Sequence, residues 1–275
     1  MKDVLEEIVA WKRREVGQQK YDLPAKELHA IVERMMLSGV AGHSMRRSLE
    51  ADAHGIIAEF KRRSPSKGWI HEEALPQDVV PAYASNGAAA LSILTDEKFF
   101  GGSLSYIEKV RPLMSLPIMR KEFIIDEYQL FQARRVGADA VLLIAADLPL
   151  SQCRSLISVA HELSLEVLLE LHDEAELDYA ELDADMIGVN NRHLGTFHTD
   201  VQQSFDMAGR LPKEKLWVSE SGISSPDTIR RLRHAGYRGF LMGEYFMRAA
   251  NPGLALREFV MELACYRRDA RTFEL

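Results

Sequence analysis

Apolar residues fall in short dense runs, separated by polar loops and amphipathic stretches. Eight runs stand out, at residues 55–59, 90–94, 116–119, 140–145, 166–170, 186–190, 216–219 and 239–243. They begin about 20 to 35 residues apart, the length of one strand plus a crossover helix. Most are continuous rather than alternating, as parallel strands buried on both faces require. Amphipathic patterns fill the gaps, at residues 103–114, 127–136, 150–163 and 173–181. Ser103 and Asp173 are placed to cap two of them. Gly137 closes another. Ser225-Pro226 and Asn251-Pro252 open the last two, with proline at the first helical position.

Eight β-α units in one chain fit either a closed (β/α)8 TIM barrel or a large open doubly wound sheet. No Gly-x-Gly-x-x-Gly follows the first run and no Walker A sequence appears, so the open nucleotide-binding sheet lacks its markers. Residues 1–54 read as a helical extension, with Val4, Leu5, Ile8, Val9 and Trp11 on one broad face. That segment is expected to cap one end of the barrel formed by residues 55–275, the whole making a single α/β domain.

The composition changes this picture little. Of 275 residues, 47% are hydrophobic and 27% charged, which excludes a disordered or collagen-like chain. Asp and Glu total 41 against 34 Lys and Arg, so the net charge is −7. With its basic residues dispersed, the chain has no nucleic-acid footprint, and any anionic ligand must be held by a local cluster. Cys153 and Cys265 lie in different helical patterns and are expected to be free, buried thiols of a reducing compartment. The acidic, amphipathic N-terminus is not a signal peptide, and no apolar stretch is long enough to span a membrane. The expectation is a cytoplasmic monomer without nucleic-acid or membrane partners.

Ligands of parallel barrels sit at the C-terminal ends of the strands, so polar residues ending an apolar run are the candidates. Glu59 and Lys61 are two apart and point the same way; they form either a rim ion pair or part of a site. Lys121 suits a general acid, a carboxylate anchor or a Schiff-base amine, or is simply solvated. Glu170 ends an otherwise apolar run, where a carboxylate is costly unless it works or pairs. Asn190, Asn191 and Arg192 follow the sixth run. Glu220, Ser221 and Gly222 follow the seventh, and Gly243 and Glu244 the eighth. Loops after the last two strands often hold a phosphate through backbone N–H groups. Glu244 would repel phosphate if it pointed inward, so it is expected to point away.

Other features are discounted. The histidines, His172 among them, lack the i, i+4 spacing of a helical metal site. Met35, Met36, Met242 and Met247 read as core filler. Arg13-Arg14 and Arg134-Arg135 read as solvated helix faces. Phe99-Phe100 suits either the core or an aromatic-binding mouth.

Residues 57–68, IAEFKRRSPSKG, resemble the signature of the indole-3-glycerol phosphate synthase family. The resemblance continues in order through LTDEKFFGGS at 94–103, KEFIID at 121–126, LLE at 168–170, IGVNNR at 187–192 and SESGI at 219–223. It implies a TIM barrel with an extra N-terminal helical segment. It implies ring closure of 1-(2-carboxyphenylamino)-1-deoxyribulose 5-phosphate, a phosphorylated aromatic compound, with loss of CO2 and water and with no cofactor or metal. Lys121 is then the general acid and Glu170 the general base, with Glu59, Lys61, Asn190 and Ser221 also catalytic. Ser64, Phe100, Phe123, Arg192, Glu220, Gly222, Gly243 and Glu244 are expected to bind substrate. The competing readings are a Schiff-base aldolase using Lys121 and a non-catalytic phosphate-binding barrel.

Overall fold

The computed structural model describes residues 4–39, 42–193 and 198–270, with side chains as far as residue 265. Eight parallel strands close into a barrel in sequence order: β1 (Ile56–Phe60), β2 (Ala90–Leu94), β3 (Ile118–Lys121), β4 (Ala140–Ile144), β5 (Glu166–Leu171), β6 (Met186–Asn190), β7 (Leu216–Glu220) and β8 (Gly239–Met242). β8 returns to β1, pairing Phe240 with Ile56 and Met242 with Ala58. The eight apolar runs are these strands.

Period-2 alternation splits each strand between two environments. Ile56, Ala58 and Phe60 face the helical layer, as do Val167, Leu169 and Leu171. Ile57, Met119, Leu142, Leu168, Met186, Val218 and Leu241 fill the barrel interior. The outer layer includes α4 (Pro76–Ser85), α5 (Ser105–Val110), α6 (Glu127–Arg135), α7 (Leu150–Glu162), α8 (Leu177–Ala180), α9 (Gln202–Ala208), α10 (Pro226–His234), α11 (Glu244–Met247) and α12 (Pro252–Ala270). Asp173 accepts from the Ala175 N–H at 2.8 Å and Ser225 from the Thr228 N–H at 3.2 Å. Ser103 caps no helix; its hydroxyl accepts from the Ser105 N–H just before the first turn of α5.

The N-terminal segment covers both ends of the barrel, not one. Helix α3 (Met45–Ala51) plugs the bottom: Met45 and Leu49 are fully buried in the interior column. Ser44 and the Arg46 N–H hold it there through the Glu166 carboxylate, at 2.5 and 2.8 Å. Helix α1 (Val4–Asp22) lies across the mouth and adds Leu5 and Ile8 to the top of the column. Helix α2 (Ala25–Leu37) packs against α6.

Other expectations also need correction. Trp11 is not on the buried face; it is partly exposed, with the Lys98 ammonium 3.8 Å from its ring centroid. Arg134 is buried rather than solvated; Gly42 of the N-terminal segment lies beside its guanidinium. Cys153 is buried, but Cys265 is exposed near the end of α12; both are free. Glu244 departs from its expected orientation within the site, as described below. No helix among the described residues is long and apolar enough to cross a membrane.

Candidate active site

A cavity of about 780 Å³ opens at the C-terminal end of the barrel. All fourteen residues expected to be catalytic or to bind substrate line it: Glu59, Lys61, Ser64, Phe100, Lys121, Phe123, Glu170, Asn190, Arg192, Glu220, Ser221, Gly222, Gly243 and Glu244. Alternation explains the convergence. Glu59 shares the inward face of β1 with Ile57, Glu170 that of β5 with Leu168, and Glu220 that of β7 with Val218.

At the floor, Lys121 Nζ lies 2.9 Å from Glu170 and 2.7 Å from Glu220. Burial opposes the ammonium charge, but Glu170, Glu220 and Glu59 outweigh it, and the Lys121 pKa is raised. Burial also opposes ionisation of Glu170. Lys121 and His172 overcome that, and Glu170 is held well below the usual carboxylate range. Glu220 goes the other way: burial and the Glu170 charge outweigh Lys121 and raise it to about 8. The floor therefore holds one firm carboxylate, one carboxyl that readily keeps its proton, and a cation between them. Asn190 Nδ2 donates to Glu170 at 3.1 Å. Beside this group, Lys61 pairs with the buried Glu59 at 2.6 Å.

Two glycines make room for these carboxylates. A Cβ on Gly188 would lie 2.3 Å from Glu220 Oε1, and one on Gly243 would lie 2.4 Å from Glu59 Oε1. Ser221 and Gly222 are both left-handed, with φ of 69° and 77°. The Asn191 side chain fixes that turn by donating to the Ser221 carbonyl at 3.0 Å. The two adjacent asparagines thus divide the work: Asn190 faces the cavity and Asn191 braces a loop.

Glu244 does not turn away. Its carboxylate stays on the cavity wall, 3.3 Å from Arg192 and 2.6 Å from Arg248, so its charge is met by two guanidinium groups. Arg192 also donates to Ser66 at 3.0 Å, tying down the loop after β1. That loop carries a two-residue hairpin, Arg63–Ser64 against Gly68–Trp69.

The opposite wall is apolar. Leu5 and Ile8 of α1 line it with Leu142 and Ile144, while Phe100 and Phe123 lie 5.9 Å apart between ring centroids. Sequence reasoning missed how this wall is held. Lys12 of α1 is 2% exposed and contacts Glu15, Asp96 and Glu122 at 2.5, 2.9 and 3.0 Å. Asp96 accepts from the N–H groups of Phe99 and Phe100, and Glu122 from that of Phe123. One buried lysine thereby joins α1 to both aromatic loops. A lysine within an amphipathic helix reads as solvated, so no local signal marked it.

A family model for indole-3-glycerol phosphate synthase matches residues 5–259. The chain belongs to that family. An indole-3-glycerol phosphate synthase of Bacteroides thetaiotaomicron is 57% identical over 260 residues, covering 94% of this chain and 98% of its own length. One of Polaromonas naphthalenivorans is 42% identical over 263 residues, covering 95% and 100%. Membership makes the chain a carboxy-lyase of tryptophan biosynthesis. Among solved structures, a mutant tryptophan synthase alpha-subunit of Pyrococcus furiosus matches with a TM-score of 0.60 at 14% identity, over 77% of this chain and 98% of that one. At that identity the likeness shows the shared barrel alone.

Proposed function

We propose that this indole-3-glycerol phosphate synthase closes the pyrrole ring of 1-(2-carboxyphenylamino)-1-deoxyribulose 5-phosphate with Lys121 as general acid and Glu170 as general base. The observation that carries the reading is the Glu170–Lys121–Glu220 group on the cavity floor, facing an apolar wall. The ring carbon bearing the carboxylate attacks the ketone carbon, and the carbonyl oxygen takes a proton from Lys121. The bond to the carboxylate breaks, CO2 leaves, and the ring regains aromaticity. The new hydroxyl takes a second proton and departs as water, while Glu170 removes a proton from the adjacent carbon.

Lys61, held by Glu59, is the second cation within reach and suits the dehydration step or an anionic group of the substrate. The aromatic ring of the substrate belongs against Leu5, Ile8, Phe100 and Phe123. Its phosphate belongs at the Ser64, Arg192, Ser221–Gly222 and Gly243–Glu244 end, where Arg192 lines the cavity and pairs with Glu244. Asn190 orients Glu170. A Schiff-base role for Lys121 is disfavoured because two carboxylates keep it cationic.

The test is turnover in excess EDTA, followed by indole absorbance and fluorescence. Wild type is expected to form product; E170Q is expected to bind substrate and not turn it over. An E170Q variant with wild-type kcat removes Glu170 from the role of base.

A further inference from the structure

The reaction draws protons from outside. Two protons are delivered to oxygen, one for the ketone and one for the departing hydroxyl, and one returns from carbon. Since CO2 leaves a carboxylate, each turnover takes up one proton from solvent. The floor carboxylates are 2% and 1% exposed, so that proton needs a path.

A second cavity of about 600 Å³ lies on the other side of α1, and Leu5 borders both. His172, two residues beyond Glu170, lines this second cavity and is itself 8% exposed. Its Nε2 is 3.1 Å from Glu170 Oε1, and its Nδ1 is 3.6 Å from Glu176 Oε2. Main-chain bonds hold the residue in place: the His172 N–H donates to Glu176 at 2.6 Å, and Gln203 donates to the His172 carbonyl.

We propose that His172 is the positioning residue of the base, holding Glu170 ionised and passing it the proton taken up from the second cavity. This rests on Glu170 acting as base. Once Lys121 has protonated the ketone oxygen and is neutral, the imidazolium gives its Nε2 proton to Glu170, and Glu170 passes that proton to the Lys121 amine and is again a carboxylate for the carbon proton. The neutral ring recovers one proton from solvent in the second cavity, the one proton taken up per turnover. No other co-reactant enters. Burial opposes the imidazolium charge, but Glu170 and Glu176 outweigh it and raise the His172 pKa to about 10, so the ring is charged at neutral pH. The charged and titratable groups around it are Glu170 and Glu176 in contact, and Glu6, Arg13, Asp147, Asp173 and His193 around the second cavity.

The experiment compares wild type, H172N, H172A and E170Q by turnover from about pH 5.5 to 9 and by melting temperature. H172N takes away the Nε2 that reaches Glu170 and carries no proton. Its kcat is expected to fall roughly tenfold or more with KM changed less than about twofold. With the second cation gone, the Glu170 pKa rises, so the acid limb of kcat moves to higher pH. Imidazole added to H172A is expected to restore kcat several-fold and to leave wild type unchanged. A folded H172N with wild-type kcat and an unmoved acid limb overturns the proposal. Where a variant melts too low to assay, 15N NMR of histidine-labelled wild type decides: a neutral His172 ring at neutral pH overturns it. Inactive E170Q beside unaffected H172N removes His172 alone; E170Q at the wild-type rate removes the reading of Glu170 and this role with it.

Discussion

Replacing Lys12 by Met tests the clamp between α1 and the barrel. The substitution keeps the side-chain volume and removes the charge. It leaves Asp96 and Glu122, 0% and 4% exposed, without their shared cation. Removing one partner of a buried pair costs about 3–5 kcal/mol, because the remaining charge stays buried. For a chain this size, that corresponds to a melting temperature lower by roughly 5–9 °C. The sign with pH follows from Glu122. In wild type, burial opposes its ionisation but Lys12 and Arg120 outweigh burial, so its pKa is lowered. It therefore contributes stability above its unfolded pKa that is lost as pH falls. In K12M the balance tips toward burial, and Glu122 can relieve the strain by taking a proton. The deficit is largest near about pH 8 and shrinks toward about pH 5. Urea unfolding at both pH values, followed by tryptophan fluorescence, measures it. The double variant K12M/E122Q, lacking one stranded charge, should recover part of the loss. Because Lys12 also anchors the Phe100 and Phe123 loops through Asp96 and Glu122, KM should rise in K12M. A deficit below about 1 kcal/mol, or one independent of pH, would refute the reasoning.

Three further outcomes are expected. G188A should lower kcat about a hundredfold while leaving the far-UV circular dichroism unchanged, since its Cβ would displace Glu220 and a misplaced group costs about that much. E220Q should flatten the stability profile: the folded pKa of Glu220 is raised to about 8, so wild type loses stability as pH climbs from the ordinary carboxylate range through about 8. Equal slopes for E220Q and wild type in denaturant titrations across that window would rule this out. L5A should raise KM by roughly tenfold with little change in kcat, because it strips an apolar wall from the substrate cavity without touching the floor; isothermal titration with a phosphorylated product analogue checks it.

The strands were readable because a parallel barrel buries both faces of each one, leaving dense apolar runs that end abruptly in polar residues. Those endings also located the cavity, since the barrel brings the C-terminal ends of all its strands together. What stayed hidden depends on contacts between distant segments. Lys12 meets residues 84 and 110 positions away, at Asp96 and Glu122, and nothing in its own helix distinguishes it from the solvated Arg13 and Arg14. Arg134 reads as surface until the N-terminal segment is laid beside it. Gly188 sits in an apolar strand like any small residue; its purpose appears only when Glu220 reaches across from the next strand. His172 was judged by the spacing of metal sites, and its partner two positions back was overlooked. Glu244 was judged as an isolated charge, although Arg248 lies one helical turn beyond it.

The pairing of β1 with β8 has a consequence for how the protein is made. Ile56 emerges from the ribosome 184 residues before Phe240, its neighbour in the ladder. Until β8 is synthesised, one edge of β1 has open hydrogen-bonding groups and is a template for wrong pairing. The same late segment brings Gly243 and Glu244, the last wall of the cavity. A nascent or truncated chain stopping short of residue 239 therefore lacks the barrel seam and part of the binding pocket together. Loss of substrate binding and a tendency to aggregate should appear at the same truncation length rather than separately.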